Sequence, residues 1–573
     1  MMQKLVKVLL PILVLLGFEG KGQDIIQSRQ YPKNIFRYPL DLPPSTAGSF
    51  GELRPNHFHA GLDFKTNHRT GYPVHAVYDG YVSRLKVQFG GFGNAVYITH
   101  PNGFTSVYGH LSRFSPEIAQ VVRQAQYQQQ KFDVDINLQP WQMPVSKGQV
   151  IALSGNTGAS EGPHLHFELR DAATQETINA QLFGLTIPDR VPPSIMAVAV
   201  YHLNGNPFSE KTPRDYYTVS GSAGHYHLAQ PRILNLNGEI GFGITTNDMN
   251  STSANHNGVY SIELKLDGKT VYTYVVERFA FDQTHAINAY IDYPAYLTSH
   301  RWIQKCFVLP GNKITLFPQS INRGIITFND DAEHDVEYVV KDVAGNTSTV
   351  NLKVKSSAMM VSNASNIITS NRFHYDQVNT YSNRDIKVTI PVGNLYDDLD
   401  FTYAEMPKKP GTYSLTHRVH NRFTPIHDSY DLWIRPDSTI GKLADKAVIV
   451  NSVTGSQGGV YEDGFIKAHA TTFGDFYIKV DTVPPTIRSI NISNGSNLSG
   501  QHAIFLKISD NLSGIKSFEG RIDGKWVLME WDYKTRVLSY TFDNTITAGK
   551  HSFELTVMDN KDNAAHFTAE FTR

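Results

Sequence analysis

The chain has 573 residues, enough for several domains, and its single cysteine excludes an intramolecular disulfide framework. Its 52 basic and 53 acidic residues leave a formal charge of −1, which argues against a nucleic-acid partner and gives no general electrostatic draw to an anionic surface. Only 18% of the residues are charged, and Tyr, Phe, Thr, Gly and Asn are abundant, a composition that predicts a mainly β chain.

Lys4 and Lys7 precede an apolar run of eleven residues, Val8 to Phe18, too short for a membrane span. Gly20-Lys21-Gly22 offers small residues for cleavage, so residues 1–22 read as an export signal. No cysteine follows the run to carry a lipid, and no later apolar segment approaches membrane length. Export without disulfides fits a bacterial route, with the mature chain in the periplasm or outside the cell.

Histidines and one aspartate then recur in ordered settings. His57-Phe58-His59-Ala60-Gly61-Leu62-Asp63 contains a His-x-x-x-Asp that selects His59 over His57, with Gly61 expected to let the chain bend tightly between His59 and Asp63. Asn94 to His100 reads as a strand, Pro101-Asn102-Gly103 as a tight turn, and Phe104 to Leu111 as the return strand, with His110 near its end. Ser115-Pro116-Glu117 predicts an N-cap, an N1 proline and an acidic first turn, and Ile118, Val121, Val122 and Ala125 give one apolar helix face. Phe132, Val134, Ile136 and Leu138 alternate as a short strand. This insertion begins a few residues after His110 and is expected to wall a groove. After Ser154-Gly155-Asn156-Thr157-Gly158 comes Gly162-Pro163-His164-Leu165-His166-Phe167-Glu168. On a strand, His164 and His166 share a face while Leu165 and Phe167 point into the core.

His-x-His alone carries little weight in a chain with 23 histidines; it also occurs at His57/His59 and His225/His227. The combination is specific. Two imidazoles and a carboxylate form the ligand set of a catalytic zinc with one open position, and two further histidines remain to move protons and stabilise charge. Mixed N and O ligands suit zinc better than calcium or magnesium. The motif order resembles that of the lysostaphin-like zinc endopeptidases, the family of the LytM domain, over roughly residues 35 to 185.

The resemblance implies one zinc per chain, bound by His59, Asp63 and His166, with His110 and His164 as the two catalytic histidines outside the ligand set. One would take a proton from water; the other would stabilise the oxyanion or protonate the leaving amine. The sequence departs from the family pattern at none of the five positions. The implied substrate is peptidoglycan peptides, cut at stem-peptide crosslinks or glycine bridges. Two other functions stay open: a non-catalytic scaffold or activator of other cell-wall hydrolases, which would want a fourth zinc ligand, and a secreted protease for glycine-rich proteins. His417-x-x-His420 and His225/His227 lack a matching carboxylate, and Cys306 reads as a buried small hydrophobe.

An internal repeat divides the rest. Asp189-Arg190-Val191-Pro192-Pro193-Ser194-Ile195 matches Asp481-Thr482-Val483-Pro484-Pro485-Thr486-Ile487. Asn257-Gly258-Val259 matches Ser513-Gly514-Ile515, and Asp342-Val343-Ala344-Gly345-Asn346 matches Asp559-Asn560-Lys561-Asp562-Asn563. The units resemble bacterial immunoglobulin-like β-sandwiches, the first enlarged by two insertions. Between them, Ser362 to Asn371 reads as a polar linker, and alternating segments such as Tyr430 to Ile434 predict another sandwich. The expected order is an antiparallel β-sheet peptidase domain at 23–188, able to fold alone, then about three β-sandwiches: 189–356, 357–480 including the linker, and 481–573.

Overall fold

The computed structural model describes residues 25–357 and 371–573. The export signal and all of the expected linker except Asn371 lie outside the described residues. The chain is mainly β. Among the described residues, no helix is long and apolar enough to cross a membrane.

Seven antiparallel strands carry the N-terminal segment: β1 (Thr46–Gly48), β2 (Leu62–Lys65), β3 (Gly80–Val87), β4 (Ala95–Thr99), β5 (Phe104–Gly109), β6 (Val134–Asn137) and β7 (His164–Asp171). Their order across the sheet is β1-β2-β7-β5-β4-β3-β6, with shorter strands added beside β3 and β7. The β4–β5 hairpin turns through Gly103 at φ 84°, as the Asn-Gly pair predicts. On β7, Leu165, Phe167 and Leu169 are buried in the core while His164, His166 and Glu168 share the other face. Register does the rest: His166 lies opposite Asp63 on β2 and Gly109 on β5.

Gly61 has an unexceptional φ, so its role differs from the expected bend. A Cβ there would run into the Phe167 carbonyl and the His166 ring. Glycine therefore permits β2 and β7 to meet closely beside the site.

Helix α1 (Pro116–Gln129) starts at Ser115, buries Ile118 and Val122, and is followed by β6, which pairs with β3. Its outer face meets the C-terminal sandwich. Arg123 pairs with Asp543, and the Tyr127 and Trp526 rings lie 5.1 Å apart.

Residues 194–356 form one linked sheet system of twelve strands, in which Arg214–Ser222 pairs with Ser194–His202 on one side and His225–Leu228 on the other. Its apolar core is continuous with that of the N-terminal segment. Phe279 is fully buried, 5.0 Å from the Phe50 ring and 6.0 Å from the Phe58 ring. Thr177–Ile178 pairs with Arg278–Phe279, and Tyr31 Oη donates to Glu277 Oε1 at 2.9 Å. Apolar side chains from both sides of residue 188 thus pack into one core. The next two units close cores of their own. Residues 373–480 place two five-stranded sheets face to face, and residues 486–572 a four-stranded on a five-stranded sheet.

Candidate active site

His59, Asp63 and His166 converge. His59 Nε2 lies 3.1 Å from Asp63 Oδ1, His166 Nδ1 lies 2.9 Å from the same oxygen, and the two nitrogens are 3.1 Å apart. A tetrahedral ion with bonds of about 2.0–2.1 Å needs donors about 3.3 Å apart, so two imidazoles and a carboxylate at these spacings fit zinc. All three residues are buried, and His57 is turned out, its Nδ1 on the Pro55 carbonyl.

Each donor is held from behind. His59 Nδ1–H donates to Ser49 O at 2.7 Å, which leaves Nε2 for the metal. His166 Nε2–H donates to Glu168 Oε1 at 2.9 Å, which leaves Nδ1. Glu168 is fully buried and takes a second bond from Arg170 Nε at 2.6 Å. Arg54 Nη2 donates to Asp63 Oδ2 at 2.6 Å, so Oδ1 is the oxygen that faces the two histidines. Gly48 allows that reach, because a Cβ there would collide with Arg54 Nη2 and Asp63 Oδ2.

The electrostatics follow the geometry. Burial lowers His59 to about 4, against the pull of Asp63. Burial opposes protonation of His166 too, but hydrogen bonds to Asp63 and Glu168 overcome it and raise this imidazole to about 9. Burial pushes Asp63 up, but His59 first, then the His164 and His166 side chains gathered around its carboxylate, hold it well below the usual carboxylate range. Burial likewise works against the Glu168 carboxylate, yet Arg170 and His166 bring it down to about 2.

His110 and His164 border this cluster. His110 follows β5 in the left-handed conformation at φ 58°, past the strand end rather than on it. That turn aims its ring at the cluster, 4.8 Å from His164 and 5.8 Å from His166. His164 Nε2 lies 3.3 Å from Asp63 Oδ1. Both rings are oriented through Nδ1–H, His110 donating to Thr157 O and His164 to Gly162 O, each at 2.8 Å. Nε2 is therefore the lone-pair nitrogen of each neutral ring. Burial, then the charges of His166 and His164, lower His110 to about 3.

Residues 57–127 and 135–180 match the profile of Peptidase family M23. This segment is an M23 peptidase domain. The gap between the two matched stretches falls at the junction of α1 and β6. Residues 370–481 match the profile of a Zu5-like domain. An uncharacterized metalloprotease of Haemophilus influenzae is 34% identical over 151 residues, 25% of this chain and 26% of its own length. The DD-carboxypeptidase/endopeptidase Mpg of Neisseria meningitidis is 39% identical over 112 residues, 20% of each chain. The peptidoglycan DD-endopeptidase ShyA of Vibrio cholerae is 31% identical over 167 residues, 28% of this chain and 32% of its own. The chain thus spans a third or less of the length of each of these relatives.

Several groups of the M23 site escaped the sequence reading. Glu168 stood in the motif and shares the face of His164 and His166 by its spacing of two, so its position was available as a signal. Arg54 had none, since it reaches Asp63 only through the fold. Phe92 stacks on His166 with centroids 4.8 Å apart, and Phe281 of the first sandwich lies 6.4 Å from Phe92 and beneath Arg170. The other histidine pairs lie elsewhere: His417 is bonded to Tyr403 and His420 to Thr424, while Cys306 is buried.

Proposed function

We propose that the chain is an exported, zinc-dependent endopeptidase that hydrolyses peptidoglycan at stem-peptide crosslinks, in the periplasm or cell envelope of a bacterium. The observation that carries this reading is the buried three-donor set with two further histidines beside it, each presenting an Nε2 lone pair. Zinc held by His59, Asp63 and His166 would acidify water and polarise the scissile carbonyl. His110 and His164 supply the proton traffic: one Nε2 accepts the proton of the attacking water, and the imidazolium so formed donates it to the leaving amine. The other ring can stabilise charge on the tetrahedral oxygen only as the imidazolium, with an Nε2–H turned towards that oxygen. Two relatives, one named a DD-carboxypeptidase/endopeptidase and the other a peptidoglycan DD-endopeptidase, support the choice of substrate class.

The test is incubation of the zinc-loaded chain with purified sacculi, with and without a chelator, followed by mass analysis of released fragments. Chelator-sensitive conversion of crosslinked to uncrosslinked peptides is expected. Intact sacculi beside a zinc-loaded, folded protein would favour the scaffold or activator, and cleavage confined to glycine-rich proteins would favour the secreted protease.

A further inference from the structure

The internal repeat brings three aspartates together twice. Carboxylate oxygens of Asp189, Asp248 and Asp342 lie within 4.8 Å of one another, and those of Asp481, Asp510 and Asp559 do the same. The positions correspond. Asp189 and Asp481 precede Val-Pro-Pro, Asp248 and Asp510 each follow a strand (Gly238–Asn247, Ala503–Ser509), and Asp342 and Asp559 open the Asp-x-x-x-Asn turn. In that turn Asn346 Nδ2 donates to Asp342 Oδ2, and Asn563 Nδ2 to Asp559 Oδ2, both at 2.7 Å.

Acidic residues alone do not make a site; the oxygens around them decide. Asn257 is 5% exposed, and its Oδ1 is buried with no hydrogen-bond partner among the described residues. It lines one small cavity together with Asp189 and Asp248. Asp248, also 5% exposed, leaves its Oδ1 unpartnered as well. In the last sandwich the matching oxygens, Asp510 Oδ1 and Ser513 Oγ, are again buried and unpartnered among the described residues. A buried acceptor left unpaired is costly, so the same unpartnered oxygens at corresponding positions of two diverged copies need a common cause. The carboxylates also crowd one another. Burial, then Asp342 and Asp189, push Asp248 up to about 8. Burial, opposed by Asn346 and aided by Asp189, pushes Asp342 up to about 6.

We propose that these two clusters are cation sites of the calcium class, one at the start of each repeat copy. Carboxylate, amide-carbonyl and hydroxyl oxygens suit a hard cation that takes six to eight oxygens, with backbone carbonyls or water completing the shell. Neither cluster offers the imidazole nitrogens that mark the zinc set. The second cluster has a competitor: Lys446 Nζ donates to Asn563 Oδ1 at 2.9 Å, which places a positive charge nearby and weakens that site relative to the first. The first site braces the joint to the peptidase domain. Its cavity is also lined by Thr46, Ser49 and Asn179. Gly258 N, next to Asn257, donates to Ser49 Oγ at 2.9 Å, and the Ser49 carbonyl orients His59. Calcium there would steady a zinc ligand through two residues.

The experiment is calorimetric titration of the zinc-loaded full chain with calcium alone, beside Asp248→Asn and Asp510→Asn. The parent is expected to take up two calcium ions, the tighter lost in Asp248→Asn and the weaker in Asp510→Asn. No uptake by the parent, or a stoichiometry unchanged in both variants, overturns the proposal; a stoichiometry of one, abolished by Asp248→Asn, overturns the second site. Thermal melting separates lost binding from lost folding. Because Asp248 resists ionisation without a cation, Asp248→Asn should melt at or above the parent in calcium-free buffer and below it in excess calcium. A variant that calcium stabilises as much as the parent overturns the first site.

Discussion

The two copies of the repeat share a plan and differ in what they do for the peptidase domain. The first merges with it: Phe279 and Tyr290 bury their rings against Phe50 and Phe58, and the paired Thr177–Ile178 and Arg278–Phe279 strands cross the boundary. The last keeps a closed core and touches the same domain at its rim. There Phe89 meets Phe518 and Trp531 at 5.7 and 5.5 Å, and Lys534 Nζ donates to the carbonyls of Asn156 at 2.8 Å and Ser160 at 3.0 Å. The difference lies in the insertion between Val275 and Glu333 of the first copy, which supplies Phe279, Phe281 and Tyr290. A generic sandwich becomes part of an enzyme's core by adding apolar residues to one connection.

The largest test of this contrast is truncation. A chain of residues 23–188 should aggregate or melt without cooperativity, because it leaves the Phe50 and Phe58 side of the core open to water. Residues 23–480 should melt cooperatively and bind zinc. Thermal unfolding with metal analysis reads both, and a soluble, cooperative, zinc-loaded 23–188 would erase the distinction. A point substitution sharpens it. Phe279→Ala should cost about 3–5 kcal/mol of stability by emptying a buried site. Phe518→Ala, at the half-exposed rim, should cost well under half of that; equal losses in denaturant titration would mean that both copies are integral.

Chemistry should sit entirely on the first side of the comparison. His59→Ala and His166→Ala should lose zinc, whereas His110→Ala and His164→Ala should keep it and lose about a hundredfold or more in rate. Metal content beside initial rates decides, and zinc loss in either of the latter pair would redraw the ligand set. Zinc affinity should also depend on pH in a signed way. In the metal-free site His166 is raised to about 9 and His59 lowered to about 4, so between those values zinc displaces one proton, from His166. Affinity should therefore rise about tenfold per pH unit over that window and flatten above it. A flat profile in competition with a chelator of known pH dependence would show that Asp63 and Glu168 do not hold that proton. The smallest effect belongs to the rim. Lys534→Ala removes one exposed and one half-buried bond near the loop that orients His164 and should change stability by about 1 kcal/mol or less. A tenfold fall in rate from this change would instead make the last sandwich part of the site.

What could be read from the sequence was whatever the chain repeats or spaces locally. Period two on β7 placed His164 and His166 on one face, His-x-x-x-Asp marked His59 and Asp63, and the Asn-Gly turn located the hairpin that leads to His110. The Val-Pro-Pro repeat showed the modular plan. Three things were decided only in the folded chain. Arg54 supports Asp63, and carbonyls of Ser49, Thr157 and Gly162 orient three imidazoles, yet a backbone acceptor has no residue signature and a cross-strand reach depends on register. The helix after Ser115 was legible as a helix, but its partner, the surface around Trp526 and Asp543, lies some four hundred residues away in sequence. The shared core was hidden for a related reason: alternation reports that a residue is buried, not which domain buries it. Local pattern fixes side-chain direction because backbone geometry is local, while the choice of neighbour belongs to the packing of distant segments.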